Sequence, residues 1–177
     1  GYIDRKRNLD YDEIFDEVVL INRQSEEAYG KKLSNIVFMG MGEPLLNYTN
    51  VLKAIERISA PDGLGMSPRR ITVSTAGVAK MIRKLGDDHV KFKLALSLHA
   101  ANDAKRHEIM PINDTNKIKS LVEALNYFYQ QTKNEITLEY ILFDDFNDSL
   151  KDADDLIKIY RQVPADLINI IEYNPID

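Results

Sequence analysis

The chain contains no cysteine among its 177 residues. This absence excludes disulfide bonds, thiolate zinc sites, a cysteine nucleophile and an iron–sulfur cluster held by cysteines of this chain. The three histidines are His89, His99 and His107, and no two of them have the four-residue spacing of a helical metal site. We therefore expect no metal ion bound by this chain alone.

Long hydrophobic runs and an excess of positive charge are also missing. No apolar run approaches the roughly 18 residues of a membrane span, and no signal peptide is visible. The formal net charge of −5 gives no overall basic surface for nucleic acid, so RNA contacts would need a local patch such as Arg69-Arg70. The length predicts one domain over residues 1–177, and the expected location is cytoplasmic.

Hydrophobic periodicity predicts five strands that alternate with helices. A leading helix from Asp10 to about Gln24 begins at a capping box of Asp10 and Glu13. The apolar run of the first strand is typical of burial on both faces. Because parallel strands need crossover connections, which are usually helices, the alternation predicts an α/β fold with parallel strands. The predicted strands are Ile36–Met39, Arg70–Ser74, Phe92–Leu98, Ile136–Phe143 and Leu167–Ile171.

The loop after the first strand has the composition of a ligand-binding loop. Gly40 and Gly42 lack a Cβ, so the backbone there can turn sharply and approach a ligand closely. Glu43 places a carboxylate just past the end of the strand, which suits the ammonium group of a ligand. The spacing and the lysine of a phosphate-binding P-loop are missing. An ordinary Gly-Pro turn with a solvated glutamate is the alternative interpretation.

Small hydrogen-bonding residues lie at the carboxyl ends of four of the five predicted strands. Ligands of parallel α/β folds bind at the carboxyl ends of the strands, so this placement predicts a polar small-molecule site. Each residue alone also has an ordinary explanation, since a serine after a strand often caps a helix. A histidine such as His99 is more often partly buried with a local partner than catalytic. The residues are Gly42-Glu43, Ser74-Thr75, Ser97 with His99, and Asn174.

Seven segments resemble the motifs of the radical S-adenosylmethionine adenine-C2 RNA methyltransferases, the RlmN/Cfr family. They occur in the family's order across nearly the whole chain. The proline at position 44, directly after the glutamate, resembles the residue found there in the RlmN branch of that family. The segments are Gly40–Asn47, Ser67–Arg70, Val73–Gly77, Leu96–Ala100, Ile109–Asn113, Asn147–Ser149 and Tyr173–Pro175.

The resemblance implies a partial parallel (β/α) TIM-like barrel of the radical S-adenosylmethionine type, lacking its first strand. Its rim is expected to bind S-adenosylmethionine. By match to the family motifs, Gly42 and Glu43 hold the amino group of the methionine part, and Asn174 contacts the ligand from the last strand. The full set of cofactor-binding residues that the match implies is Gly42, Glu43, Ser74, Ser97, Leu98, His99 and Asn174.

For the full-length family, the resemblance implies S-adenosylmethionine and a 4Fe-4S cluster as cofactors, and 23S rRNA and tRNA as substrates. The Cys-x-x-x-Cys-x-x-Cys cluster motif is expected just before Gly1, and the methyl-carrying cysteine after the last residue. We therefore expect a central fragment of an RNA methyltransferase that is inactive by itself and has no catalytic residue. With the first barrel strand missing, the strand Ile36–Met39 should have an unpaired edge that favours self-association.

Two other interpretations stay open. The chain can be an α/β module that binds an adenosyl ligand and never had redox chemistry, which a cluster motif in the parent open reading frame would exclude. It can also be a complete TIM-like enzyme in which Glu43 and His99 act as an acid–base pair. An intact substrate pocket without added protein would support that interpretation.

Overall fold

A capping box starts the first helix, α1, which spans Tyr11–Tyr29. In the computed structural model, which describes residues 6–174, Asp10 Oδ1 accepts a hydrogen bond from the backbone N–H of Glu13 at 2.9 Å. Glu13 Oε2 accepts one from the backbone N–H of Asp10 at 3.0 Å, as the sequence pattern predicted. The helix continues past the predicted end near Gln24 and stops at Gly30, whose φ of 65° is left-handed.

The described residues fall into two compact units, the first ending at Ser74 and the second beginning at Thr75. In the first unit, β1 (Ile36–Phe38) and β2 (Ile71–Thr75) pair in parallel, with Phe38 opposite Val73. Between them lie a 3-10 turn, Pro44–Asn47, helix α2 (Tyr48–Ser59) and a second 3-10 turn, Pro68–Arg70. The buried apolar side chains of this unit include Ile14, Leu45, Val51, Ala54, Ile55, Ile58, Ile71 and Val73. The expectation of one domain over residues 1–177 stays a prediction.

Strand β1 is not buried on both faces, so that prediction was wrong. Val37 is 52% exposed and Met39, just after the strand, is 56% exposed, while Ile36 and Phe38 are half-buried. An apolar run indicates that burial of the strand is favourable. Whether the strand is buried also depends on the elements that pack against it, and the run itself does not show these. Among residues 6–74, β1 has one strand partner, β2.

The described part of the second unit, residues 75–174, contains three parallel strands and four helices. Strand β3 (Lys93–Ser97) pairs with β4 (Ile136–Leu142), and β4 pairs with β5 (Leu167–Glu172). These pairings confirm the predicted α/β class, and each strand in both units begins and ends within one residue of its predicted bounds. The helices are α3 (Ala79–Asp87), α4 (Asp103–Ile109), α5 (Ile118–Thr132) and α6 (Leu150–Tyr160), with a 3-10 turn at Pro111–Asp114.

The register of β3, β4 and β5 places a row of polar residues on one face of this sheet and the α6 helix on the other. Ser97 pairs with Glu139, and Glu139 pairs with Asn169, so these three residues form one polar row across the strands. Tyr140, the next residue on β4, lines a pocket of about 110 Å³ together with Leu156 of α6. Because successive side chains of a strand point to opposite faces, the polar row lies on the face opposite α6.

Side-chain caps fix the amino ends of two helices in the second unit. Asn102 Oδ1 accepts from the backbone N–H of Lys105 at 2.9 Å and thereby caps α4. Ser149 and Asp152 form a capping box at the start of α6. Among the residues that the structure describes, no helix is long and apolar enough to cross a membrane.

Candidate functional site

The Gly-Glu loop after β1 has the backbone conformation that its glycines suggest. Gly40 has a φ of 132° and Gly42 a φ of 91°, values that residues with a Cβ rarely adopt. Glu43 is half-buried, and its Oε1 accepts a hydrogen bond from the backbone N–H of Leu45 at 3.0 Å. The carboxylate therefore caps the 3-10 turn that follows, and its position just past β1 is the predicted one.

The end of β2 contains the next predicted residue, Ser74. This serine is buried, with 6% of its surface exposed, and it is the penultimate residue of the strand. In the second unit, the hydroxyl of Thr75 accepts from the backbone N–H of Gly77 at 3.0 Å. Gly77 has a φ of 101°, so the segment turns directly after the strand.

Ser97, Leu98 and His99 form one turn at the carboxyl end of β3. The backbone N–H groups of Leu98 and His99 donate to the carbonyl oxygen of Glu139 at 2.9 and 3.2 Å. His99 has a φ of 55°, a left-handed value that is uncommon for residues other than glycine. The turn, called here the 97–99 turn, is thus pinned to β4 and brings together three of the predicted residues.

The imidazole of His99 has a local partner. Its Nδ1 accepts from the backbone N–H of Ile141 at 3.2 Å, so the hydrogen of the neutral ring lies on Nε2. Burial, and secondly the positive charge of Arg106, lower the pKa of His99 to about 4. The ring is therefore neutral near pH 7 and acts as a hydrogen-bond donor through Nε2. A general base works best with a pKa near the operating pH, so this environment disfavours an acid–base role.

Arg106 is a buried positioning residue that the sequence did not single out. Its side chain is fully buried, and burial lowers its pKa to about 10, which leaves it charged at neutral pH. The guanidinium holds the segment after β2 and the 97–99 turn in one arrangement, because it donates to main-chain carbonyls of both. Its acceptors include the carbonyl oxygens of Ala76 (2.5 Å), Ser97 (3.2 Å) and Leu98 (3.1 Å), and Asn113 Oδ1 (2.9 Å).

Asn147 is a second such residue, known from the sequence only as part of a motif. It is buried, and its Nδ2 donates to the carbonyl oxygens of His99 at 2.6 Å and Ile141 at 2.8 Å. Its Oδ1 accepts from the backbone N–H of Phe143 at 2.7 Å. One amide side chain therefore fastens the loop after β4 to the 97–99 turn.

Asn174 follows β5 and is exposed. Its Nδ2 donates to the carbonyl oxygen of Glu172 at 3.4 Å, a local contact. Within the described part of the second unit, no hydrogen bond joins Asn174 to the 97–99 turn. Pro175, the last residue of the predicted Tyr173–Pro175 motif, lies outside the described residues.

Two further features of the structure concern the binding of ligands and metal ions. A pocket of about 510 Å³ in the first unit lies before β1 and β2 rather than after them, and none of the predicted cofactor-binding residues lines it. Its lining includes Lys32, Leu33, Ser67 and Arg70. Among residues 6–174, no three histidine, aspartate or glutamate side chains come together in a group that would hold a metal ion.

Comparison with known proteins gives no matching family model but close relatives. The chain is 58% identical over 176 residues to a probable dual-specificity RNA methyltransferase RlmN of Cytophaga hutchinsonii, covering 99% of this chain and 48% of that protein. It is 42% identical over 170 residues to the dual-specificity RNA methyltransferase RlmN of Campylobacter jejuni, covering 96% of this chain and 47% of that protein.

Solved structures give a consistent result. A radical SAM methyltransferase from Sphaerobacter thermophilus matches with a TM-score of 0.90 and 37% identity, over 96% of this chain and 49% of that one. SuiB of Streptococcus suis, bound to S-adenosylmethionine, matches with a TM-score of 0.67 at 13% identity, over 99% of this chain and 36% of that one, which indicates a shared fold alone.

The chain spans about half the length of the curated relatives it matches. The match to the Sphaerobacter methyltransferase confirms the predicted α/β fold of the radical S-adenosylmethionine type. Identities of 50–58% with four RlmN proteins over at least 98% of this chain confirm the resemblance that the motifs predicted. In the part that it spans, this sequence therefore belongs to the RlmN family of radical S-adenosylmethionine methyltransferases.

Proposed function

We propose that this chain is the S-adenosylmethionine-binding part of an enzyme that methylates C2 of adenosine in 23S rRNA and tRNA in the cytoplasm. The observation that carries the proposal is the 58% identity, over 176 residues, to a protein named as a dual-specificity RNA methyltransferase. The order of polar residues at the strand ends supports it independently, because small-molecule ligands of parallel α/β folds bind there.

In the first unit, Gly42 and Glu43 are proposed to bind the amino group of the ligand. The carboxylate of Glu43 accepts hydrogen bonds from the ammonium group, and the positive φ of Gly42 lets the main chain approach the ligand closely. Ser74, buried at the end of β2, contributes a hydroxyl that can donate or accept.

In the second unit, the 97–99 turn and Asn174 contact the rest of the ligand. Ser97 supplies a hydroxyl, Leu98 an apolar side chain, and His99 the N–H of a neutral imidazole. Asn174 supplies an amide that both donates and accepts. These groups fit the amine, hydroxyl and ring-nitrogen groups of S-adenosylmethionine, and the buried contacts of Arg106 and Asn147 hold the turn in place for them.

The residues of this chain do not fit a 4Fe-4S cluster, because the sequence contains no cysteine. In the whole enzyme such a cluster would supply the electron for reductive cleavage of S-adenosylmethionine, and its ligands would have to lie outside this chain. We therefore propose that the chain alone is inactive. Anaerobic incubation with iron and sulfide should give no cluster absorbance, and 5′-deoxyadenosine formed under reduction would contradict the proposal.

The binding part of the proposal is tested by titrating the chain with S-adenosylmethionine. Replacing Glu43 by alanine should weaken binding about tenfold or more, because a hydrogen bond to a charged group contributes about 1.5–3 kcal/mol. The matched control is Glu56→Ala, which removes an exposed glutamate from α2. Equal affinities of the wild-type and Glu43→Ala chains would show that this loop does not bind the amino group.

A further inference from the structure

Glu139, in the middle of β4, is a buried carboxylate without a cation beside it in the second unit. Only 6% of its surface is exposed. Within residues 75–174, its side chain has one hydrogen-bond partner, Asn169 Nδ2, which lies 2.9 Å from Oε2. Glutamates are almost never buried unless they are paired, and burying a carboxylate with few donors costs free energy. A ligand that donates hydrogen bonds to the carboxylate would offset this cost.

The position of Glu139 connects it to the predicted cofactor residues. It stands in the polar row between Ser97 and Asn169, on the face of the sheet opposite α6. Neighbouring strands lie about 4.8 Å apart, so the side chains of Ser97 and Glu139 start side by side. The carbonyl oxygen of Glu139 also accepts the N–H groups of Leu98 and His99. The carboxylate therefore adjoins the 97–99 turn.

The chemistry of the polar row indicates which part of a ligand it would take. A carboxylate only accepts hydrogen bonds, whereas the Ser97 hydroxyl and the Asn169 amide can donate as well as accept. A vicinal diol matches this set, because its two hydroxyls donate to the carboxylate while their oxygens accept from neighbouring groups. The adenosyl part of S-adenosylmethionine carries such a diol in its ribose, whereas the amino group is already assigned to Glu43.

We propose that Glu139, supported by Asn169, is a further ligand-binding residue whose carboxylate accepts hydrogen bonds from the ribose hydroxyls of an adenosyl ligand. This inference rests on the proposed function. It adds a ligand-binding residue within a strand of the sheet to those in the loops. It also gives a reason for a carboxylate in the buried part of β4, since the ligand supplies the donors that the second unit lacks.

The test compares adenosine with 2′,3′-dideoxyadenosine in titrations of the 177-residue chain followed by NMR. The wild-type chain should bind adenosine about tenfold more tightly, the effect of a hydrogen bond to a charged group. In Glu139→Gln, which keeps the shape but removes the charge, this preference should fall to a few-fold. The matched control is Glu135→Gln, an exposed glutamate just before β4 that pairs with Lys93. It should keep the wild-type preference.

A residue that only supported the fold would lower both affinities together and leave the preference unchanged. A second variant, Asn169→Ala, alters an exposed position and should reduce the preference by a smaller factor, even if Glu139→Gln does not fold. Binding of both compounds with equal affinity by the wild-type chain would overturn the inference. If S-adenosylmethionine still bound in a Glu43-dependent way, the proposed function would stand. A wild-type chain that bound no adenosyl compound would overturn both.

Discussion

Asn147 Nδ2 lies 2.6 Å from the carbonyl oxygen of His99, although the two residues are 48 positions apart in the sequence. The same amide nitrogen donates to Ile141, whose own N–H donates to His99 Nδ1. The main chain and the imidazole of His99 are thus both held by the segment 141–147. This explains how a non-glycine residue keeps a left-handed backbone at the end of β3, since local strain persists where surrounding contacts fix it.

The first prediction concerns the pH dependence of stability. The pKa of His99 is about 4 in the folded chain against an ordinary value of 6.5, so the unfolded chain takes up the proton first as the pH falls. The stability that the neutral imidazole contributes is therefore fully present above pH 6.5 and is lost progressively down to pH 4. The loss should approach about 3 kcal/mol, measured by urea denaturation across this range.

Asparagine is the informative replacement for His99, because it tolerates the left-handed backbone and does not titrate. His99→Asn should remove the part of the pH dependence between pH 6.5 and 4, while the carboxylates contribute equally in both chains. His89 has a φ of 47° and is exposed, so His89→Asn is a control with the same change in the same backbone conformation. If His89→Asn and His99→Asn gave the same curve, the assignment to His99 would be wrong.

A second prediction concerns Arg106. Replacing it by lysine keeps the charge but loses the planar fork of donors, so several carbonyl oxygens at the ends of β2 and β3 lose the hydrogen bond that Arg106 donates. We expect the free energy of unfolding to fall by roughly 2–4 kcal/mol, because unsatisfied buried polar groups are costly. Arg161→Lys, at an exposed position after α6, should stay within about 0.5 kcal/mol of the wild type. A similarly small effect at Arg106 would show that its contacts contribute little.

The elements of the fold were predictable because their signals are local. Apolar runs predicted the strands within one residue, and the capping box of Asp10 and Glu13 marked the start of α1. The end of α1 was placed too early because residues 25–29 have no apolar periodicity. The signal that was missed is Gly30, which ends the helix in a left-handed conformation.

The candidate site was predictable only in part. The 97–99 turn was visible because a polar cluster directly follows a strand. The roles of Arg106, Asn147 and Glu139 were not, because each has at least one hydrogen-bond partner 30 residues or more away in the sequence, as in the bond from Arg106 to Ala76. Nothing in the local pattern distinguishes a buried arginine on a short helix from an exposed one. Only the packing of α4 against the strand ends makes that difference.

The last prediction is that the chain associates with a second copy of itself through β1. Val37 and Met39 expose more than half of their surface, and β1 has β2 as its one strand partner within residues 6–74. An exposed apolar strand edge offers unpaired N–H and C=O groups to another chain. The net charge of −5 opposes association weakly, because physiological salt screens repulsion beyond about 8 Å. Sedimentation velocity over a concentration series should show a shift from monomer to dimer.

Val37→Lys tests whether β1 forms the contact, because a lysine on an edge strand hinders pairing with another strand. This variant should stay monomeric at concentrations where the wild-type chain dimerises. Leu20→Lys is the control, since it places the same charge at an equally exposed apolar position on α1, and it should leave the dimer unchanged. A wild-type chain that is monomeric at every concentration, with slowly exchanging amides at residues 36–39, would mean that other residues of the same chain already cover this edge.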